Sequence, residues 1–314
     1  MINREVDHEK LITALADLRI KEPDLPALLA RTRKRRSRLT TDGHLVIIAA
    51  DHPARRVVAA GQNPWAMADR AELLKRLAAV LQQPGVDGVL ATPDLLEELL
   101  LYNYWLLKQG EKDFLEEKLL IGSMNRGGLA GTVFELYDPV TAYTARDLLE
   151  MNLDGGKLLF QFDPQARESG QTLYLCAAAL RELADQRLPA FLEVVPRPPT
   201  TDELVLLVGV ATALGPTSSH LWLKLPMVEG FERVARATTC PILVLGGSEP
   251  GNSSQLLSRI ESCLKAGPNI RGAIIGRGIL YPSDDSDPAQ LAAQLAQLIH
   301  QSTSQRSSSD QQEI

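Results

Sequence analysis

The 314-residue chain lacks the features that mark membrane, secreted and nucleic-acid-binding proteins. No apolar run approaches the about 20 residues that cross a bilayer, and the first residues lack the apolar segment of a signal peptide. The formal net charge of −6 gives no general reason for binding to nucleic acid or to a membrane. We therefore expect a cytoplasmic protein that binds neither.

Cysteine and histidine are scarce and form no metal-binding pattern. The three cysteines, Cys176, Cys240 and Cys263, have no Cys-x-x-Cys spacing and lie in apolar segments, which predicts buried thiols in a reducing compartment. The five histidines are scattered, and no two have the spacing of a zinc site. We expect neither a metal nor a cofactor.

Eight short β-rich segments recur along the chain, separated mostly by amphipathic segments of helical length. The predicted strands are Leu45–Ala50, Val86–Thr92, Leu119–Met124, Lys157–Asp163, Ala190–Pro196, His220–Pro226, Pro241–Gly247 and Gly272–Arg277. This alternation predicts βαβ units with a parallel sheet, buried on both faces. A dinucleotide-binding open sheet would carry Gly-x-Gly-x-x-Gly after its first strand, whereas here Asp51-His52-Pro53 follows. The sequence therefore predicts an α/β protein with a (β/α)8 TIM barrel.

The barrel is predicted to span residues 45–300. Residues 1–44 are predicted to form one or two helices that cap or flank its base, and the polar tail 301–314 is predicted to be disordered. Residues 31–38 carry six basic side chains. We interpret this basic segment as a solvated helix end, where the helix dipole favours cations, with an anion or subunit contact as the alternative.

Two lysines lie inside apolar, strand-like segments: Lys157 within 156–163 and Lys224 within 220–226. Burying an ammonium costs several kcal/mol, roughly, so a buried lysine is paired or functional, and its pKa is lowered. A free amine near neutral pH is what Schiff-base chemistry requires. Strand alternation places Lys224 opposite three leucines, which predicts that it points into the barrel. The alternative is a lysine that reaches solvent at the barrel mouth.

The carboxyl ends of the strands, where barrel enzymes place their active sites, are rich in amines, carboxylates and glycine turns. The candidate residues are Asp51, Arg126, Gln161, Asp163, Glu193, Lys224, Gly246-Gly247-Ser248 and Gly276-Arg277-Gly278. Without a metal, the lysine amine is the group left to polarise a carbonyl.

From Leu45 to Tyr281, these segments resemble the class I aldolases grouped with deoxyribose-phosphate, tagatose-bisphosphate and archaeal-type fructose-bisphosphate aldolases. The similar segments are Ala50-Asp51-His52, Gly88–Pro93, Gly156–Leu159 with Asp163, Leu192-Glu193-Val194, Leu223-Lys224 and the two glycine turns. The resemblance implies a carbon–carbon lyase of carbohydrate metabolism that forms a Schiff base on Lys224. It also implies a keto-sugar or keto-acid substrate, phosphorylated in most of the group, and a homo-oligomer.

The resemblance and the residue types together suggest roles for the other candidates. Lys157 would lower the pKa of Lys224 or pair with Asp51 or Glu193, although its position early in the strand could place it too deep to reach substrate. Glu193 would be a general acid/base with a raised pKa, or a counter-charge for the lysines. Asp51 would orient Lys157 or a substrate hydroxyl, or cap the following loop.

The remaining candidate residues are expected to bind the end of the substrate that is distant from the reacting carbonyl. Arg277 and the backbone around Gly246, Gly247, Ser248 and Gly276 would hold a phosphate, with Arg126, Gln161 and Asp163 also in contact with substrate.

Two departures from the group leave other functions open. Lys224 is followed by Leu225-Pro226-Met227, where the archaeal-type enzymes place aromatic hydroxyls nearby. Glu249 follows the first glycine turn, where it would repel a phosphate unless it pairs with Arg277. The alternatives are a metal-independent isomerase or synthase that uses Glu193 or Asp51, and a metabolite-binding barrel without activity.

Overall fold

The computed structural model describes residues 7–126, 128–246, 252–284 and 286–309, with only the backbone of residues 302–309. Eight parallel strands close into a barrel in chain order. They are β1 (Leu45–Ala49), β2 (Gly88–Ala91), β3 (Leu119–Ser123), β4 (Gly155–Phe162), β5 (Ala190–Pro196), β6 (Leu221–Pro226), β7 (Ile242–Leu245) and β8 (Ile270–Ile275). Pairing of Leu45 with Gly272 and of Ile48 with Ile275 closes β1 onto β8. The predicted TIM barrel is confirmed, and every strand end lies within two residues of its predicted position.

Helices cover the outside of the barrel. Two of them, α1 (His8–Lys21) and α2 (Leu25–Thr32), precede β1. The others are α3 (Arg70–Leu81), α4 (Pro93–Leu107), α5 (Ala145–Glu150), α6 (Arg167–Asp185), α7 (Thr201–Thr212), α8 (Phe231–Arg236), α9 (Ser253–Lys265), α10 (Arg277–Leu280) and α11 (Pro288–Ser309). A short 3₁₀ helix, Pro53–Arg55, follows β1. Within the described residues, no helix is both long and apolar enough to cross a membrane.

Alternation along the strands separates two apolar cores. Val46 and Ile48 point outward into the core shared with the helices. Leu45, Ile47 and Ala49 point inward, where residues of five other strands join them: Leu90, Leu119, Ile121, Phe191, Leu243 and Ile274. This inner core fills the lower part of the barrel, so only the carboxyl ends of the strands are left for polar side chains.

The basic segment, residues 31–38, lies along the base of the barrel, and only part of it is solvated. Arg33 is almost completely buried, with its side chain 6% exposed, and its Nη2 lies 2.5 Å from Asp154 Oδ2. Arg35 also pairs with Asp154, and Arg36 pairs with Asp87 at 2.8 Å. The interpretation as a solvated end is wrong for Arg33 and Arg36, because the acidic residues that precede β4 and β2 lie within reach of these two cations.

All three cysteines are free and buried, so their predicted burial is confirmed.

At the C-terminal end, helix α11 continues to Ser309, past the predicted barrel end at residue 300. Residues 310–314 lie outside the described residues, so disorder of the tail stays a prediction.

Candidate active site

Four of the predicted catalytic residues meet in one polar layer above the inner core. Lys157 on β4, Glu193 on β5, Lys224 on β6 and Asp51, two residues beyond β1, are linked by ion pairs. Strand register explains the meeting, because Glu193 lies directly opposite Lys224 in the β5–β6 pair.

Glu193 bridges the two lysines with one oxygen. Its Oε2 lies 2.5 Å from Lys157 Nζ and 3.0 Å from Lys224 Nζ. Burial alone would raise the pKa of Glu193, but the two ammonium groups outweigh it and lower the pKa far below the usual range. The raised pKa expected from the sequence is therefore wrong. The geometry fits the other expectation, in which Glu193 is a counter-charge.

Lys157 is the deepest charged group of the layer. It has no exposed surface, and its Nζ lies 3.2 Å from Asp51 Oδ2 in addition to the contact with Glu193. Burial lowers its pKa, and the two carboxylates oppose that shift. Strand β4 begins at Gly155, so Lys157 is its third residue and lies low in the barrel.

On the other side of the layer, Asp51 is the shared acceptor for several side chains. Its Oδ2 accepts hydrogen bonds from Lys157 Nζ, from Arg126 Nη2 and, at 3.3 Å, from Ser123 Oγ. Arg126 Nη2 also donates to the backbone oxygen of Asp51 at 2.5 Å. Burial opposes ionisation, yet Arg126, Lys157 and Lys224 together hold the pKa of Asp51 well below its usual value.

The charges of this layer do not cancel. Arg126, Lys157 and Lys224 are three cations, whereas Asp51 and Glu193 are the two carboxylates that pair with them. With all five groups ionised, the layer has one surplus positive charge. That surplus disappears if one lysine is a neutral amine, and an anionic ligand would also balance it.

Gly246 follows β7 and Gly276 follows β8, so both described glycines lie at strand ends on the mouth side. A Cβ on Gly276 would lie 2.4 Å from Ala49 O and 2.6 Å from His52 Cε1, so contact with β1 and His52 already requires glycine there. Arg277 Nη1 donates to Ala59 O at 3.2 Å. A Cβ on Gly246 would lie 3.2 Å from Ile275 side-chain atoms. Gly247, Ser248 and Glu249 lie outside the described residues, and their proposed roles stay predictions.

Gln161 and Asp163 do not join the lysine layer. Gln161 Oε1 accepts from Arg55 Nη2 at 3.1 Å, and Arg55 Nη1 pairs with Asp138 at 2.8 Å. Asp163 Oδ1 accepts from the backbone N–H of Gln165 at 2.8 Å, which fixes the turn into α6. Gln161 therefore belongs to a neighbouring polar network, and Asp163 to a turn.

Sequence reasoning missed two polar residues at the mouth, Ser123 and Arg55, and it left out His52 as a structural residue. Ser123 could have been found from strand alternation, because it shares the inward parity of Leu119 and Ile121. His52 follows Asp51 directly, but a histidine at a strand end predicts structure as readily as function. Arg55 has no sequence signal, since its partner Asp138 lies 83 residues away.

A cavity of about 1250 Å³ opens beside Arg277. It lies between the segments that follow β1, β5, β6 and β8 and one side of α9. Hydroxyl and amide side chains line much of it, together with Arg259 and Arg277, and Glu229 is the acidic residue among the described lining. Neither lysine of the polar layer lines this cavity, which lies to one side of them.

Comparisons with solved structures find barrels of the same fold. A Schiff-base-forming fructose-1,6-bisphosphate aldolase is 20% identical, with a TM-score of 0.61 over 82% of this chain and 94% of that one. An archaeal fructose-1,6-bisphosphate aldolase is 18% identical, with a TM-score of 0.60 over 83% and 95% of the two chains. At these identities the similarity shows a shared fold alone. A search of curated proteins gave no match.

A nearer relative has a solved structure. Cgl0159 from Corynebacterium glutamicum (Brevibacterium flavum) is 38% identical, with a TM-score of 0.84 over 93% of this chain and 98% of that one. The family model described as Cgl0159-like matches residues 43–295, which run from just before β1 into α11. On this match and this identity, the chain belongs to the Cgl0159-like family.

Proposed function

We propose that the protein is a class I aldolase that makes or breaks a carbon–carbon bond through a Schiff base on Lys224. One observation carries the proposal: a buried ammonium at the mouth end of β6 shares a single carboxylate with a second buried ammonium. The shared carboxylate supplies one negative charge for two ammonium groups, and a lysine amine near the mouth end of a strand is the nucleophile that imine chemistry requires. The fold shared with Schiff-base-forming aldolases supports the same chemistry.

Lys224 is better suited than Lys157 to be the nucleophile. Lys157 is paired with both Asp51 and Glu193 and has no exposed surface, whereas Lys224 is paired with Glu193 and keeps 3% of its surface exposed. Among the described residues, Lys224 therefore has fewer charged partners and slightly more exposure, so a carbonyl carbon reaches it more readily than Lys157. Lys157 then acts on Lys224 through charge.

The reaction follows from these placements. The neutral Lys224 amine adds to the substrate ketone, and loss of water gives a cationic imine. In the cleavage direction, the cationic imine draws electrons from the neighbouring carbon–carbon bond, so that the substrate hydroxyl proton can leave to a base as weak as the Glu193 carboxylate. The O–H electrons form the aldehyde, and the electrons of the broken carbon–carbon bond form an enamine. Protonation of the enamine carbon and addition of water release the second product and restore Lys224.

An anionic keto-sugar or keto-acid fits the surroundings of this site. The layer has a surplus positive charge, and Arg277, which is close enough to interact electrostatically with Glu193 and His52, lines the cavity of about 1250 Å³. Hydroxyl and amide side chains in that cavity match the hydrogen-bonding groups of a polyol chain. We therefore assign the phosphate or carboxylate end of the substrate to the Arg277 side of the mouth.

Carboxylate acid–base chemistry without an imine is less well supported. The lowered pKa values of Asp51 and Glu193 make both carboxylates weak bases. An isomerase or synthase built on them would need a carboxylate closer to neutrality.

Borohydride trapping tests the proposal. The protein is incubated with dihydroxyacetone phosphate, reduced, and mapped by peptide mass spectrometry. We expect a reduced adduct on the Lys224 peptide and none in Lys224→Arg, which keeps the positive charge beside Glu193 but cannot form the imine. Lys265→Arg is the matched control, because Lys265 is exposed on α9 and pairs only with Glu261 in the described structure.

The possible outcomes separate the alternatives. An adduct on the Lys157 peptide would keep the reaction class and overturn the assignment of the two lysines. Turnover without any adduct would indicate the isomerase, and the absence of both an adduct and turnover across a panel of keto-sugar phosphates and keto-acids would indicate a barrel that only binds.

A further inference from the structure

Gln161 presents a hydrogen-bond donor in the mouth of the barrel. It has the inward parity of Lys157 and lies about 13 Å further along β4, near the end of the strand. Its Oε1 accepts from Arg55 Nη2 at 3.1 Å, and because a guanidinium only donates, this contact fixes the orientation of the amide. Nε2 is reached by solvent and contacts no acceptor within the described part of the chain. The free edge of Gln161 is therefore a donor.

Three arginines lie on this side of the mouth, and each is paired with a carboxylate. The pairs are Arg55 with Asp138 at 2.8 Å, Arg197 with Glu135 at 2.5 Å, and Arg126 with Asp51. Asp138 also accepts the backbone N–H of Gly128 at 3.0 Å. Glu135 accepts that of Gly131 at 2.9 Å. Two of the three counter-charges are thus fixed within the loop after β3.

These paired arginines lie close to Gln161. Arg55 contacts it directly, and the backbone N–H of Arg197 donates to Phe162 O, the next residue of β4, at 2.7 Å. Arg126 is close enough to Arg55 to interact with it electrostatically. The cations nearest the end of β4 therefore already have their anions.

The closed barrel places this side of the mouth across from Arg277. The eight strands follow one another in chain order, so β4 lies opposite β8, and Arg277 is the second residue after β8. Lys224 on β6 lies between the two sides. A substrate with its phosphate at Arg277 and its carbonyl carbon on Lys224 therefore extends toward Gln161 with its other half. Aldol cleavage releases that half as the aldehyde.

We propose that the aldehyde half of the substrate has no phosphate and that its end accepts a hydrogen bond from Gln161 Nε2, so that the site selects monophosphates over bisphosphates. This assignment rests on the aldolase function proposed above and adds its substrate class. A second phosphate would bring up to two negative charges to arginines whose charge Asp138 and Glu135 already balance. Arg56 and Arg167, also near these strand ends, are exposed, where water screens an ion pair.

Two probes that differ in one phosphate test the assignment. Fructose 1-phosphate and fructose 1,6-bisphosphate share the phosphate next to the ketone, and only the second has a phosphate at the far end. For each probe we measure the concentration that gives half of the maximal borohydride-trapped adduct on Lys224. Leaving a charged group without a partner predicts that the wild type prefers the monophosphate by about ten-fold or more.

Removing one counter-charge should shift the preference toward the bisphosphate. Glu135→Gln leaves Arg197 without its anion, and Asp138→Asn does the same to Arg55, so each should improve the relative affinity for the bisphosphate by about ten-fold. Glu150→Gln is the matched control, because it frees Arg146, which is 85% exposed on α5. It makes the same charge change and should leave the ratio unchanged.

The donor itself is tested with the monophosphate alone. Gln161→Leu removes the Nε2 donor and should raise the half-saturating concentration of fructose 1-phosphate by about ten-fold. Gln165→Leu makes the same substitution at an exposed residue of the turn after β4 and should leave that concentration unchanged. Circular dichroism of each variant verifies that it is folded.

The outcomes for the two proposals are distinct. A wild type that binds the bisphosphate as well as the monophosphate would overturn the selectivity and leave the aldolase intact. A ratio that stays unchanged in folded Glu135→Gln and Asp138→Asn would do the same, as would adduct with dihydroxyacetone phosphate but with neither fructose phosphate. Wild-type affinity for fructose 1-phosphate in folded Gln161→Leu would overturn the role of Gln161. The absence of adduct with all three ketones would contradict the aldolase as well.

Discussion

One carboxylate, Glu193, is the shared ion-pair partner of both buried lysines. Its Oε2 contacts both Nζ atoms, so neither lysine can be understood without it. A sequence can place three charged residues at strand ends, but whether a carboxyl group gains or loses a proton depends on the distances between them. Here two ammonium groups within 3.0 Å outweigh the burial that would otherwise have raised the pKa of Glu193.

We expect Glu193→Gln to destabilise the fold by about 3–5 kcal/mol, because it leaves two buried ammonium groups without their shared anion. The pKa of Glu193 is lowered in the fold, so its contribution is complete above its unfolded value of 4.5 and is lost as the pH falls below that value. Urea unfolding of the variant and the wild type should therefore differ at pH 7 and converge in acid.

Glu261→Gln is the control for this change. Glu261 pairs with Lys265 on the surface of α9, where an ion pair contributes about 0–1 kcal/mol. If Glu193→Gln and Glu261→Gln had equal effects at pH 7, the buried ion-pair layer would not exist as described.

At the scale of elements, the base of the barrel is held by the basic segment. Asp154 precedes β4, pairs with Arg33 and Arg35, and accepts a hydrogen bond from the backbone N–H of Leu120 on β3 at 2.8 Å. One carboxylate thus ties the segment after α2 to the starts of two strands. Charge density in the sequence is the same for a solvated and a paired segment, which is why only the fold distinguishes them.

We expect Asp154→Asn to cost about 3–5 kcal/mol, since it leaves the buried Arg33 guanidinium without an anion. Lys34→Met in the same segment should cost about 0–1 kcal/mol, because Lys34 is 61% exposed and pairs with Glu116 and Glu117 at the surface. Urea unfolding at low and high salt measures both. Similar losses for the two variants would return the segment to the solvated interpretation.

At the scale of the whole molecule, His300 joins the last helix to the barrel base. Its Nδ1 lies 2.8 Å from Asp42 Oδ2, and its Nε2 lies 2.9 Å from Gly85 O and 3.3 Å from Asp87 Oδ2. The carboxylate of Asp87, more than any other group, raises the pKa of His300 to about 9. Asp87 also pairs with Arg36, so α11, the basic segment and the strand starts share one ionic cluster.

The stability that His300 contributes should vanish in alkali. A raised pKa means that the contribution is fully present below 6.5, the value in the unfolded chain, and is lost as the pH rises through about 9. We expect His300→Gln to cost about 1–2 kcal/mol at pH 6, after allowance for screening of this partly exposed site, and little at pH 10. Urea unfolding at the two pH values measures this, and a cost independent of pH would contradict the ionic link.

The sequence by itself determined the barrel and the identity of most of the polar layer. Eight apolar strand segments at helix-length spacing leave few ways to bury both sheet faces, and strand alternation fixes which side chains point inward. Lys157, Glu193, Lys224 and Asp51 could be named because each lies on or just beyond a strand with inward parity.

Only the tertiary structure decided how those groups interact. The closure of β1 onto β8 brings Asp51 and His52 beside Arg126, Lys224 and Gly276, which are distant in sequence. Proton affinities and the pairing of the basic segment with Asp87 and Asp154 depend on distances of a few ångströms between such residues. Electrostatic energies change steeply over those distances, and a linear sequence contains no record of them.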